Sequence, residues 1–185
     1  AVFIAFLLVL LSGGLATAQA YFLDWAREPR LLYESDGDLA AVSEFLDQQD
    51  LAGSTVYVAA PHYRHPTVAF LSDQYEAVKW LPESRALVLP PEGSALYVYP
   101  HNSPRPEWAG PVLDQAAPLE GRQSHYPAEA FSAYRLENPP PIAVDQEINA
   151  NFGGVITLLG YEILGQGAAG STLPLLLIWR VEAPP

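Results

Sequence analysis

The sequence predicts a mixed fold, α+β or α/β: an N-terminal transmembrane helix, a small α/β extracytoplasmic domain, then the start of a β-sandwich-like tail. Three observations predict it. The opening 23 residues carry no charge before Asp24. Behind them an apolar repeat at helical spacing is followed by a β-branched run and a second short helix. From residue 128 onward, β-type runs alternate with Gly- and Pro-containing turns. The domains expected are residues 1–23, 24–127 and 128–185.

Composition narrows the function classes. At 50% hydrophobic, the 185-residue chain can bury a real core. Its 18 prolines and 13 glycines favour short elements joined by turns over long helices. The formal charge of −12, from 21 acidic against 9 basic residues, excludes the clustered cations that nucleic acid needs. The absence of cysteine excludes disulfides, thiol nucleophiles and thiolate metal sites. No cofactor is implied. The absence of methionine, in a chain that begins within an apolar run, leads us to expect a part of a longer protein.

Residues 1–23 (AVFIAFLLVLLSGGLATAQAYFL) are long enough to cross a bilayer as a helix, with Tyr21, Phe22 and Trp25 as an interfacial aromatic belt. Membrane lipid is then the partner of this segment, and everything after Asp24 is extracytoplasmic, at the cell membrane. A signal peptide is the alternative, with Ala16-Thr17-Ala18 or Ala18-Gln19-Ala20 as its small-residue cleavage site. A buried core helix is the third reading. Arg27 and Arg30 in the connector read as a solvated juxtamembrane face.

Asp36-Gly37-Asp38 marks a helix start, because a carboxylate suits the positive end of a helix. Leu39, Val42, Phe45 and Leu46 then line one face over residues 38–49. Thr55 to Ala60 reads as a buried strand, and residues 67–72 as a short helix after Pro66. This order implies an α/β layer, in which ligands gather beyond the carboxyl ends of the strands. The loop from Pro61 to Pro66 is therefore the best-placed candidate site. Residues 78–81, 86–89 and 95–99 read as further strands, and residues 101–127 as a Pro-rich loop. In the tail, residues 131–136, 148–152, 155–161 and 173–181 read as strands, with Pro139-Pro140-Pro141 as a stiff spacer.

Few residues carry chemistry. His62 and His65 lie three apart in a Pro-flanked loop with no third ligand at a recognisable spacing, so no metal site is assigned. Asp36 and Asp38 are explained by a cap and first-turn role. Asn151-Phe152-Gly153-Gly154 lacks a dinucleotide pattern and reads as a bend between strands. Tyr63, Trp80 and Trp108 present aromatic faces of the kind that stack on sugar rings. His62, Tyr63, His65 and Trp80 are the substrate-binding candidates, and no residue is assigned a catalytic role.

Several segments together resemble a known family. They are Tyr21-Phe22-Leu23-Asp24-Trp25-Ala26, the helix at Asp38-Leu39-Ala40, Val56-Tyr57-Val58, the run from Tyr63 to Leu71, Val78-Lys79-Trp80, Asn151-Phe152-Gly153-Gly154 with Leu159-Gly160-Tyr161, and Leu176-Leu177-Ile178-Trp179. In this order they resemble the C-terminal region of bacterial membrane glycosyltransferases of the dolichyl-phosphate-mannose-protein mannosyltransferase type (family 39-like, GT-C architecture). The resemblance implies a last transmembrane helix followed by an extracytoplasmic domain. It also implies a parent enzyme that takes a polyprenyl-phosphate-linked sugar as donor. The catalytic acidic residues of such enzymes lie in an early extracytoplasmic loop that no residue here matches. The function expected is thus an accessory one, acceptor binding or positioning, with a secreted or membrane-anchored non-catalytic binding module as the alternative.

Overall fold

The computed structural model describes residues 2–25, 28–119, 130–165, 170 and 172–183. It has mixed α and β content, an N-terminal apolar helix and two sheets, and it divides into two compact units, Ala1–Pro139 and Pro140–Pro185.

The first unit opens with helix α1 (Val2–Gln19), which continues as a wider π-type turn over Ala20–Asp24. The 23 residues from Val2 to Asp24 rise about 34 Å, against the roughly 30 Å of a bilayer core. By length and composition, then, this helix can span a membrane. None of its described residues is buried against the rest of this chain, unlike a core helix. Tyr21 stacks on Trp25 with ring centroids 4.9 Å apart, the pair standing where an interface would lie.

Helix α2 (Pro29–Glu34) starts on a proline at its first turn, and its exposed Arg30 pairs with Glu34 at 3.3 Å. Arg27 lies outside the described residues. Helix α3 (Gly37–Asp47) follows after two residues. Gly37 makes the tight joint possible. A Cβ there would stand 2.6 Å from the carbonyl oxygen of Leu32, a backbone atom that cannot swing away.

The sheet of this unit has five strands: β1 (Ser54–Ala60), β2 (Val78–Pro82), β3 (Ser94–Pro100), β4 (Ala117–Leu119) and β5 (Phe131–Leu136), in the order β2-β1-β3-β5-β4. β1 pairs in parallel with both β2 and β3, and β5 runs antiparallel to β3 and β4. Each parallel pair needs a crossover. The first runs through α4 (Pro66–Leu71). The second returns from β2 across β1 to β3 with no helix in it. The stretch 86–89, expected as a strand, is this crossover. Leu87 and Leu89 pack on the sheet, and the Val88 carbonyl accepts the Tyr97 hydroxyl at 2.8 Å. It stays out of the ladder because it lies over the tyrosine face, crossing β1 on its way from β2 to β3.

Alternation along β1 and β3 sorts the core into two layers. Val56, Val58, Leu96 and Val98 face α3 and α4, where Leu39, Val42, Phe45, Leu46 and Val68 complete a fully apolar cluster. Tyr57, Tyr97 and Tyr99 face the other way, against Ala109, Leu113 of α5 (Gly110–Leu113) and Leu136. Burial raises the pKa of all three tyrosines above the ordinary value near 10.

β5 belongs to this sheet through its pairing with β3, and the first unit ends at Pro139. The boundary expected from sequence, after residue 127, falls inside the stretch 120–129 that lies outside the described residues, and assigns residues 131–136 to the tail. The alternation of Phe131–Leu136 suits either sheet, and the partner strand β3 decides. The second unit is a three-stranded antiparallel sheet of β6 (Gln146–Phe152), β7 (Ile156–Ile163) and β8 (Leu175–Val181), in that order.

A raised folded-state pKa stabilises the fold below the unfolded value and is lost as pH climbs past it, because the unfolded chain releases those protons first. In a spectrophotometric titration at 295 nm, Tyr97 and Tyr99 should therefore ionise well above pH 10 and Tyr57 above its ordinary value, together with loss of the near-ultraviolet circular dichroism. Smooth ionisation of all ten tyrosines near pH 10 with the fold intact would contradict the packing described.

Candidate functional site

β1, β2 and β3 are parallel, so their carboxyl ends lie on one edge of the sheet. From β1 the chain departs toward β2, and from β3 it departs toward β4 and β5 on the opposite side. Such a reversal leaves a crevice beyond the strand ends, the usual ligand position in open α/β sheets. Three segments build the edge here: the loop after β1, the turn after β2 and the loop after β3.

These segments are tied to one another by hydrogen bonds. The Glu83 amide donates to the Ala60 carbonyl at 2.8 Å, joining the turn after β2 to the end of β1. The Ser84 hydroxyl, itself buried, donates to the Ser103 carbonyl at 3.1 Å, joining the same turn to the loop after β3. Glu83 and Ser84 sit at φ 54° and 52°. Two consecutive non-glycine residues in the left-handed region cost on the order of 1 kcal/mol each, and the interstrand bonds hold them there.

The acidic start of α3 is the second anchor. Asp38 is buried, and its carboxylate accepts the Asn102 backbone N–H at 2.8 Å. The Asn102 side-chain amide donates to the Tyr33 carbonyl at 2.7 Å, and the Tyr33 ring stacks on His101 at 3.8 Å. Asp36 lies in the left-handed region at φ 57° and makes no cap bond. Its carboxylate instead accepts the Thr67 hydroxyl at 2.9 Å and stands 4.0 Å from His65 Nε2. The cap bond read for Asp36 is absent, whereas Asp38 keeps its first-turn place and accepts the Leu39 N–H at 2.9 Å; both carboxylates also make tertiary contacts that clamp α3 to the loops after β1 and β3.

The four sequence candidates separate. His65 is buried, and its Nδ1 accepts the Thr67 N–H at 3.4 Å at the start of α4, so both ring nitrogens face structural partners. His62 is exposed, its ring parallel to that of His65 at 6.0 Å. Tyr63 is exposed on the same loop. Trp80 is buried in the apolar layer under α4 against Tyr75, so its ring offers no face to a ligand. The structure does not gather them into one site. Among the described residues no group of three or more His, Cys, Asp or Glu side chains is placed to hold a metal ion.

What the edge does form is an open cleft of about 780 Å³, within the range of small-ligand sites. Pro61 forms one wall, Glu83 and Arg85 a second, and residues 102–108 the third, with Arg105, Glu107 and Trp108 among them. Arg85 pairs with Glu83. Arg105 donates to Asp114 at 2.6 Å and lies 5.2 Å over the Tyr134 ring. The hydrogen bond to Asp114 holds the Arg105 guanidinium above its ordinary pKa. The cleft is therefore lined by two arginines, two glutamates and one tryptophan, and Trp108 is half-buried and packs on the tyrosine layer as well. A polyhydroxylated ligand that both donates and accepts suits such a balance better than a polyanion does. Trp108 alone of the three aromatic residues read as sugar-stacking lines the cleft. Sequence reasoning missed Arg105 and the turn at Glu83 and Ser84. The signal for Arg105 was its position between Pro104 and Pro106 just past a strand, where both neighbours stiffen the backbone.

Comparison of the chain with protein families, with curated proteins and with solved structures gave no match.

Asp38→Ala removes the acceptor for a loop N–H and should cost about 1–3 kcal/mol. Thermal denaturation should show the loss, and amide exchange at residues 101–105 should accelerate by more than tenfold. An unchanged exchange pattern would mean that Asp38 does not hold the loop.

Proposed function

We propose that this chain is the extracytoplasmic C-terminal portion of a membrane glycosyltransferase of the type it resembles, and that its α/β unit binds and positions the acceptor. The parent enzyme transfers a sugar from a polyprenyl-phosphate donor, and the bond-making residues lie outside this chain. The observation that carries the reading is the cleft at the carboxyl edge, with Trp108 among its lining residues beside Arg85, Arg105, Glu83 and Glu107. Hydroxyls of a saccharide or glycosylated acceptor donate to the carboxylates and accept from the guanidinium groups, while the indole covers an apolar C–H face. The tether supports the same reading. From Trp25 to Asp36 the chain reaches at most about 30 Å, since α2 rises only 1.5 Å per residue. The edge is thus held within reach of a lipid-borne donor whenever α1 spans the bilayer.

The second reading, a secreted or membrane-anchored binding module, draws on the Ala-x-Ala motifs at the end of α1. It uses the same cleft. N-terminal sequencing of mature protein separates the two, because cleavage after Ala18 or Ala20 belongs only to the second.

In membranes carrying the full-length gene product, Trp108→Ala and Arg105→Ala should raise the acceptor KM about tenfold, equivalent to about 1.4 kcal/mol. The donor KM should stay unchanged. A fall in kcat with both KM values unaltered, or no sugar transfer by the wild-type protein, would overturn the proposal.

A further inference from the structure

The second unit is a sheet with two chemically opposite faces. Residues paired across strands share a face. Ile163 pairs with Leu175, and Leu177, Trp179 and Val181 follow at every second position of β8. Phe152 of β6 joins them, its ring 5.8 Å from that of Trp179. These six side chains are 53% (Phe152), 50% (Ile163), 49% (Leu175), 47% (Leu177), 42% (Trp179) and 64% (Val181) exposed. The charged residues of the three strands, Glu147, Glu162 and Arg180, pair with Gly160, Leu176 and Thr157 and so lie on the opposite face. There, Thr157 donates to Glu182 at 2.6 Å and accepts from the Asn151 amide at 2.9 Å, while Arg180 donates to Glu182 at 2.8 Å.

We infer that the uncharged face docks on the same face of a second copy of this chain, closing a six-stranded β-sandwich between two protomers. Three arguments select that occupant. First, the area suffices. A three-stranded sheet of seven-residue strands measures about 14 by 23 Å. Half-exposed side chains of this size give on the order of 600 Å² per copy, at the lower edge of specific stable dimers. Second, charge favours self-pairing. Like-charged groups on two identical copies would repel, and here the strand charges all point outward. Third, sheets facing one another across about 10 Å, with their strands offset by about 30°, are the standard way for such a face to leave water. A span that confines copies to one plane raises their effective concentration and helps the pairing. The inference does not depend on the glycosyltransferase reading.

Because the chain contains no cysteine, a single introduced thiol reports one position. Leu177→Cys and Trp179→Cys on the apolar face, and Glu162→Cys and Arg180→Cys on the other, are made in the whole chain. Each is treated with a bis-maleimide spanning about 10 Å, in detergent and in phosphatidylcholine vesicles. The expected result is a covalent dimer from the first pair and none from the second, with a protein mass of two chains by light scattering. Trp179→Glu, and Val181→Lys at the rim should Trp179→Glu fail to fold, should return the mass to one chain. Equal cross-linking from both faces, or a wild-type mass of one chain, would overturn the inference. So would thiols at Leu177 and Trp179 that are reactive in detergent, shielded in vesicles and never cross-linked, since that pattern identifies the bilayer as the cover.

Discussion

The parallel pairing of β1 with β2 on one side and β3 on the other is the constraint on which the first unit depends. Parallel neighbours cannot be joined by a tight turn. One crossover therefore runs over the face that α4 covers, and the other over the tyrosine face. Both faces of the sheet are filled as a result, and all three carboxyl ends emerge on one edge. The cleft exists because the chain leaves that edge in opposite directions.

Most polar side chains at the edge are spent on holding it together. Asp36, Asp38, His65, Thr67 and Ser84 each have structural partners, and the left-handed backbone at Asp36, Glu83 and Ser84 persists because those partners fix it. The side chains left to meet a ligand are Glu107 and Trp108, with the Glu83–Arg85 and Arg105–Asp114 ion pairs open to exchange with a ligand. Gly37 completes the scheme by allowing α2 to press its backbone against the start of α3. The connector from the apolar helix thereby runs directly into the edge. Position and rigidity come from one set of residues and recognition from another.

Local pattern was enough for the elements whose periodicity is strong. The apolar run of α1, the Leu39–Leu46 stripe of α3 and the β-branched β1 announce themselves, because each buries or presents a single chemistry along its length. The carboxyl-edge position of the loop after β1 also followed from element order alone. Three features did not. Ala86 to Leu89 is extended and apolar, as a strand is, and only the partner strands show it to be a crossover. Phe131–Leu136 alternates in a way that fits either sheet, and its membership rests on a register with β3 across more than thirty residues of sequence. Trp80 looked like a binding residue, yet its neighbours Val78 and Tyr75 carry it into the core. Long-range pairing decides each of these cases, and composition does not encode it. Arg105 came into view only when three strand ends were placed side by side, and the same placement set Trp108 apart from Tyr63 and Trp80.

The two units present different surfaces. The first has a polar edge lined by Glu83, Arg85, Arg105 and Glu107, and the second an uncharged sheet face. The central claim is that recognition lies at the carboxyl edge beyond β1, β2 and β3. Hydrogen–deuterium exchange of the whole chain, with and without a panel of neutral oligosaccharides, tests it most directly. The account predicts slowed exchange confined to residues 83–85 and 102–108. Slowing confined to the second unit, or around His62 and Tyr63 with residues 102–108 unaffected, would contradict it.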